Sequence, residues 1–164
     1  MSAIQTPIQV KMNSKIGPMY LVASDRGLHG VFWKETKAPF RNKQNQGRAV
    51  EILIEAQTQL EQYLDGQRKS FDLPLDVQGT NFQKQVWNEL SKIPYGKTYS
   101  YSDIAKKIKN DKAVRAVGTA NGRNPLGLIV PCHRVIAPDG TLGGYAGGLS
   151  IKEKLLRLEQ TGSL

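Results

Sequence analysis

The sequence predicts an α+β protein in two parts: a small β-sheet and helix domain over residues 1–79, then a mostly helical domain over residues 80–164. The first observation behind this is periodicity. Before residue 35, apolar residues alternate in short runs bounded by turn residues, the period of strands; from Arg48 onward they recur at helical spacing. The second is the texture beyond Asp76-Val77-Gln78-Gly79, where periodic structure pauses and then resumes as short helices opened by capping patterns. A chain of 164 residues has enough length for one such domain pair with real cores.

In order, residues 7–12 and 18–23 read as strands with Lys15-Ile16-Gly17 near the turn, and Asp25-Arg26-Gly27 leads into a third strand over 28–33. His29 lies inside that strand, far along the chain from any chemistry, and reads as structural or surface-exposed. The polar segment 36–47 reads as a loop, and 48–64 as a helix stopped at Gly66. Residues 71–75 contain Pro74, which bars them from a central strand and leaves an extended edge piece. Beyond the junction, Thr80 and Gln83 open a helix over 81–92, with Phe82, Val86, Trp87 and Leu90 on one face and Pro94 as its stop. Ser100 and Asp103 open a second helix, and Asp111 is placed to cap a third from Lys112 to about Asn121. Residues 126–130 form an apolar run long enough for one buried strand. Ser150 and Glu153 form a further capping pattern for a last helix over 151–160.

Two short helices joined by a tight turn have the outline of a helix-turn-helix. Its second helix, Ala113-Val114-Arg115-Ala116-Val117-Gly118-Thr119-Ala120, has one long side chain, Arg115, among small ones. A helix that reads bases in the major groove needs several long polar side chains; this one is suited to close approach with little sequence preference. The charge agrees. Of the net +9, residues 82–134 supply most, with ten Lys/Arg against three Asp/Glu, whereas residues 1–81 hold ten against eight. A polyanion is the favoured partner.

One cysteine forms no internal disulfide, and one cysteine with two histidines is too few soft ligands for a zinc-finger-like site. With no signal pattern and no membrane-length apolar run, the expectation is a cytoplasmic protein (nuclear if eukaryotic), with no metal and no cofactor.

The cysteine stands in Val130-Pro131-Cys132-His133-Arg134-Val135, followed by the glycine-rich Gly140–Gly148. A thiol attacks only as thiolate, so it needs a base, and the base needs a group to set its tautomer; Cys132, His133 and a carboxylate such as Glu159 have the right types. On an extended strand, Cys132 and His133 point to opposite faces, so either Pro131 marks a turn or a water bridges them. Arg134 either adds positive field or pins a loop. Glu159 near a helix C-terminus opposes the dipole unless a cation pairs with it.

These residues resemble the O6-alkylguanine-DNA alkyltransferases. Pro131-Cys132-His133-Arg134-Val135 is similar to their acceptor-cysteine signature, and Thr98–Tyr101, Ala113–Gly118, Asn121–Pro125, Gly144–Gly148 and Lys152–Glu159 fall in the same order. The likeness covers about 80–160; residues 1–79 match only in layout. It implies a ribonuclease-H-like first domain, a winged-helix-like second one, and a single irreversible transfer of an alkyl group from guanine O6 in duplex DNA to Cys132. O4-alkylthymine is a further candidate substrate. By this resemblance His133 is the base, acting through a water, and Glu159 orients it. Tyr101 protonates guanine N3, Arg115 fills the space of the flipped nucleotide, and Asn124 lies at the hinge between helix and site. Ala113, Gly118, Asn121, Arg123, Val135, Tyr145 and Ala146 complete the residues that touch DNA or substrate. Ala146 stands where the family often has serine. The implied state is a monomer with no obligate protein partner, with room for cooperative assembly on DNA. Two rivals are a regulator in which Cys132 is structural and a turnover hydrolase, which would need an oxyanion hole and give a hydrolysable thioester.

Overall fold

The structure, a computed structural model, describes residues 6–164; residues 1–5 of the expected first domain lie outside that range. The chain divides into two compact units between Gln78 and Gly79.

In the first unit, strands β1 (Ile8–Met12), β2 (Met19–Ser24) and β3 (Gly27–Phe32) form an antiparallel sheet in that order. Helix α1 (Arg48–Leu64) lays Ala49, Val50, Leu53, Ala56 and Leu60 on it, and all five are buried. The helix starts where the Asp25 carboxylate accepts from the Ala49 N–H at 2.9 Å, which fills part of the capping role that Gly47 lacks a side chain to play. The expected edge piece at 71–75 reduces to a single parallel bridge, Leu28 with Leu75, flanked by Leu28 N–H to Pro74 O at 2.8 Å. Gly27 permits it: a Cβ there would lie 2.9 Å from the Leu75 carbonyl carbon. His29 hydrogen-bonds Ser24 Oγ at 2.8 Å and stands 3.6 Å from Asp76, a local structural role.

The second unit runs α2 (Asn81–Leu90), β4 (Tyr99–Ser100), α3 (Tyr101–Lys107), a 3-10 turn (Asp111–Ala113), α4 (Val114–Gly122), a second 3-10 turn (Cys132–Arg134), β5 (Val135–Ile136) and α5 (Leu149–Thr161). Both capping boxes expected at Thr80/Gln83 and Ser100/Asp103 are present, with side chain and backbone bonded reciprocally. Helices α2, α3 and α4 pack on one another, and the Trp87 indole N–H donates to the Ala120 carbonyl at 2.8 Å. Strands β4 and β5 form a parallel ladder of only two residues, Tyr99 with Val135 and Ser100 with Ile136. Its effect is large for its size: Tyr101 begins directly after one strand and Arg134 ends directly before the other, so the first turn of α3 is held beside the cysteine turn.

Four expectations are corrected. Residues 126–130 are not a strand but a pair of tight turns, closed by Ile129 N–H to Gly127 O at 2.8 Å and Val130 N–H to Leu126 O at 2.9 Å, with Leu128 at φ 68°. Uninterrupted apolarity reports burial, which a coiled buried segment satisfies equally well. Asp111 does not cap the third helix: it begins a 3-10 turn, and α4 starts at Val114. Ser150 does not cap the last helix, which begins two residues earlier than expected, with Gly148 at φ 96° in the cap position and no side-chain cap. Helix α2 closes at Leu90, and Ser91 and Lys92 turn away before Pro94.

Candidate active site

Pro131 leads into a single 3-10 turn, so Cys132, His133 and Arg134 do not alternate across a strand but fan out from one corner. All three are buried, with His133 wholly inaccessible. The corner is held from behind by Asn124, whose amide donates to the Val130 carbonyl at 2.8 Å while its oxygen accepts from Leu126 N–H at 3.0 Å. Asn121, on α4, adds a longer bond to the Cys132 carbonyl at 3.4 Å. Two asparagines thus tie the end of α4 to the backbone around the thiol.

Glu159 in the last turn of α5 organises the polar side. Its carboxylate meets His133 Nε2 at 2.7 Å, and accepts from Arg134 Nε at 2.8 Å, from Arg134 Nη2 at 2.9 Å and from the Gly96 N–H at 3.1 Å. Arg134 Nη1 donates to the Ile93 carbonyl at 2.7 Å. The forked guanidinium offsets both the burial of the carboxylate and its unfavourable place at a helix C-terminus. The question left open for Arg134 is answered: it is a pin. A carboxylate that only accepts assigns the proton to His133 Nε2, which leaves Nδ1 as the basic nitrogen. Burial lowers the His133 pKa, against the opposing pull of Glu159, so the ring is neutral and able to take a proton.

Burial pushes the Cys132 thiol up, partly countered by a hydrogen bond with Asn124 and the charge of Lys152. The protein alone therefore keeps the thiol protonated, and a base is needed at the moment of attack. Tyr101 opens α3 half-buried; burial raises its pKa while a backbone hydrogen bond at Gly144 lowers it. Gly143 lies so close that a Cβ would stand 2.9 Å from the Tyr101 hydroxyl. The Tyr145 hydroxyl is enclosed, and burial with the nearby Cys132 holds it well above the usual phenol range.

Cys132, His133, Glu159, Tyr101, Asn124 and Tyr145 therefore surround one corner. Arg115, Ala116 and Thr119 form the exposed face of α4, with Gly118 at its margin, Ala113 just before its start and Arg123 exposed just past its end, and Ala146 is exposed on the loop. Asn121 and Val135 are not on that face; both are buried, Asn121 beneath the cysteine turn and Val135 in the short ladder. Among the described residues no group of three or more His, Cys, Asp or Glu could hold a metal ion.

One residue escaped sequence reasoning. Lys152 is fully buried in the first turn of α5, its ammonium donating to the Val135 carbonyl at 2.6 Å, to Leu142 and to Gly144 at 3.2 Å. The signal was present: Lys152, Leu155 and Glu159 share the helical stripe that faces the core, so the stripe carries two charges where apolar residues are expected.

Comparison with known proteins adds to this geometry. A family model described as "6-O-methylguanine DNA methyltransferase, DNA binding domain" matches residues 81–161, and its companion "ribonuclease-like domain" matches 9–77. The methylated-DNA–protein-cysteine methyltransferase of Methanosarcina acetivorans is 51% identical over 146 residues, covering 89% of this chain and 94% of that protein. The constitutive protein of that description in Bacillus subtilis is 49% identical over 131 residues, covering 79% of this chain and 76% of its own. Among solved structures, Mycobacterium tuberculosis OGT in complex with DNA superposes with a TM-score of 0.83 at 39% identity, covering 93% of this chain and 92% of that one.

Proposed function

The chain belongs to the 6-O-methylguanine DNA methyltransferase family, and from that we propose how its own residues perform the reaction. It repairs DNA by direct damage reversal, moving an alkyl group from alkylated guanine to its own cysteine. In our reading the target nucleotide is turned out of the duplex, at a cost of a few kcal/mol, and Arg115 on the exposed face of α4 fills the gap. The small residues Ala113, Ala116 and Gly118 let the helix approach the minor groove, and Arg123 meets the backbone near its end. The extruded base enters beside the cysteine turn, under the loop of Tyr145 and Ala146 and against Tyr101.

His133 Nδ1 takes the Cys132 proton through a water, with Glu159 holding the ring and stabilising the imidazolium that forms. The thiolate sulfur then bonds to the alkyl carbon, and the carbon–oxygen bond breaks with its electron pair going to guanine O6. Tyr101 supplies a proton to N3 so that the purine leaves neutral, and the phenolate recovers a proton from the imidazolium side or solvent. The product is a thioether on Cys132, which no group in the site can hydrolyse, so each molecule acts once. O4-alkylthymine, which presents the same carbon–oxygen bond, is a second candidate substrate.

The protein acts as a monomer without an obligate protein partner, and several copies can follow one another along DNA. It works in the compartment that holds the DNA, the cytoplasm or, in a eukaryote, the nucleus; among the described residues no helix is long and apolar enough to cross a membrane.

The observation that supports this most is a buried thiol sharing one turn with a histidine whose tautomer a carboxylate sets. Intact-mass analysis after incubation with a duplex containing O6-methylguanine tests it. The wild type is expected to gain one methyl group and Cys132→Ala none; a repaired lesion with an unmodified thiol overturns it.

A further inference from the structure

Among the described residues the mechanism leaves one buried charged side chain unused. Lys152 stands in the first turn of α5, where burial and the helix dipole both act against a cation, and among the described residues no carboxylate pairs with it. Its three acceptors are backbone carbonyls from the two sides of one loop. Val135 follows the cysteine turn directly, while Leu142 and Gly144 bracket Gly143, the residue packed against the Tyr101 hydroxyl, and lie just before Tyr145. A packing role would be filled better by methionine or leucine, which cost no desolvation.

We propose that Lys152 is a positioning residue for the alkyl transfer, its ammonium strapping the Leu142–Gly144 segment to the backbone leaving the cysteine turn and so placing a positive charge at the Val135 carbonyl, three residues along the chain from Cys132. This rests on the alkyl-transfer reading above. The strap sets the height of the loop that brings Tyr145 over the base and keeps Gly143 against Tyr101, so that the pocket is shaped before DNA arrives. The charge acts on the nucleophile: Lys152 pulls the Cys132 pKa down, and Cys132 in turn pulls that of Lys152 up. Burial nonetheless draws Lys152 down to about 8, so the ammonium persists at neutral pH and is lost above that value. The other titratable groups around the pocket are His133, on which Lys152 also acts, and Tyr101 and Tyr145, which feel Cys132.

Two variants separate the parts of the proposal: Lys152→Met removes donor and charge, and Lys152→Gln keeps an amide donor without the charge. Single-turnover transfer from an O6-methylguanine duplex is measured at saturating DNA, alongside duplex affinity and the ionisation midpoint of the thiol followed by thiolate ultraviolet absorbance. We expect Lys152→Met to lose about tenfold or more in the saturated rate with duplex affinity within about twofold of wild type. The thiol midpoint is expected to move to higher pH in both variants. A slower rate with an unmoved thiol midpoint, or a loss confined to duplex affinity, overturns the proposal, since packing alone would produce either. Should Lys152→Met lack a cooperative thermal transition, Lys152→Gln decides on the same criteria. If the wild type itself gains no methyl group, the alkyl-transfer reading falls; if it does and both variants match it in rate and midpoint, only the role of Lys152 falls.

Discussion

A single carboxylate, Glu159, holds the histidine tautomer, the arginine pin and the Gly96 amide together, and its removal has two separable effects. Glu159→Ala leaves Arg134 and its neighbours buried without their anion, and breaking a buried pair in this way costs about 3–5 kcal/mol; urea unfolding monitored by tryptophan fluorescence measures it. Glu159→Gln preserves volume and some bonding but not the charge that in the proposed mechanism stabilises an imidazolium, so transfer is expected to slow more than unfolding shifts. Tyr101→Phe makes the complementary case. The phenol ring is half-buried and its packing survives, so stability should hold while loss of the proposed proton donor slows transfer by on the order of a hundredfold. Equal rates for Tyr101→Phe and wild type under single-turnover conditions would remove Tyr101 from the chemistry. The thiol, the histidine and the carboxylate were legible from residue type and the resemblance they carry. What Arg134 does was not, because a guanidinium next to a thiol reads equally as field or as pin until its partners, Glu159 and the Ile93 carbonyl, are located.

The elements that place these groups differ in how openly the chain announces them. Helices α2 and α3 begin at reciprocal capping boxes, a signal made of side chains, and both starts were readable. Helix α5 begins at Gly148 with φ 96°, a start made by backbone conformation, and the Ser150 and Glu153 pair that imitates a box lies inside or at the edge of its first turn. The run 126–130 misled for a related reason: its order comes from Asn124 and backbone turns, not from a partner strand. The glycine-rich loop has the same character, and a prediction follows at Gly143. With φ +71° and its Cβ position 2.9 Å from the Tyr101 hydroxyl, Gly143→Ala strains the backbone and pushes on that hydroxyl together. The thermal midpoint should fall, by about 1 kcal/mol in stability or somewhat more, and transfer should slow. Gly118→Ala is the comparison, made at saturating duplex so that the place of Gly118 on the DNA-facing helix does not enter the rate: its Cβ would meet the Tyr101 ring at 3.8 Å, an ordinary contact, so the same ring is touched without being displaced. Matching rates for the two alanine variants would show that the loop does not govern Tyr101.

At the scale of the whole molecule, the unequal division of charge between the two units is a statement about where DNA binds. The first unit is close to balanced, with ten Lys/Arg against eight Asp/Glu up to residue 81, while residues 82–134 hold ten against three. Arg134 is spent internally on Glu159, but Lys106, Lys107, Lys109, Lys112, Arg115 and Arg123 are all exposed on α3, α4, the turn between them and the residue that ends α4. This much was visible in the sequence, since net charge by segment needs no coordinates; which of the ten is buried was not. If about four of the exposed cations reach phosphates, counterion release gives a logarithmic slope of duplex affinity against salt of about −3.6, a loss of about two orders of magnitude between roughly 50 and 200 mM. Lys106→Gln and Lys112→Gln should each make that slope shallower by about one. Lys34→Gln, exposed in the balanced first unit, should leave it unchanged. Fluorescence anisotropy with an undamaged duplex at several salt concentrations reads all three. Because these contacts go to the backbone, the loss in Lys106→Gln and Lys112→Gln should be the same for unrelated duplex sequences, as expected of a helix whose exposed face offers alanine, threonine and arginine where a base-reading helix would carry a row of long polar side chains. A Lys34→Gln slope that falls as far as those of the other two would place the phosphate contacts on both units and contradict this assignment.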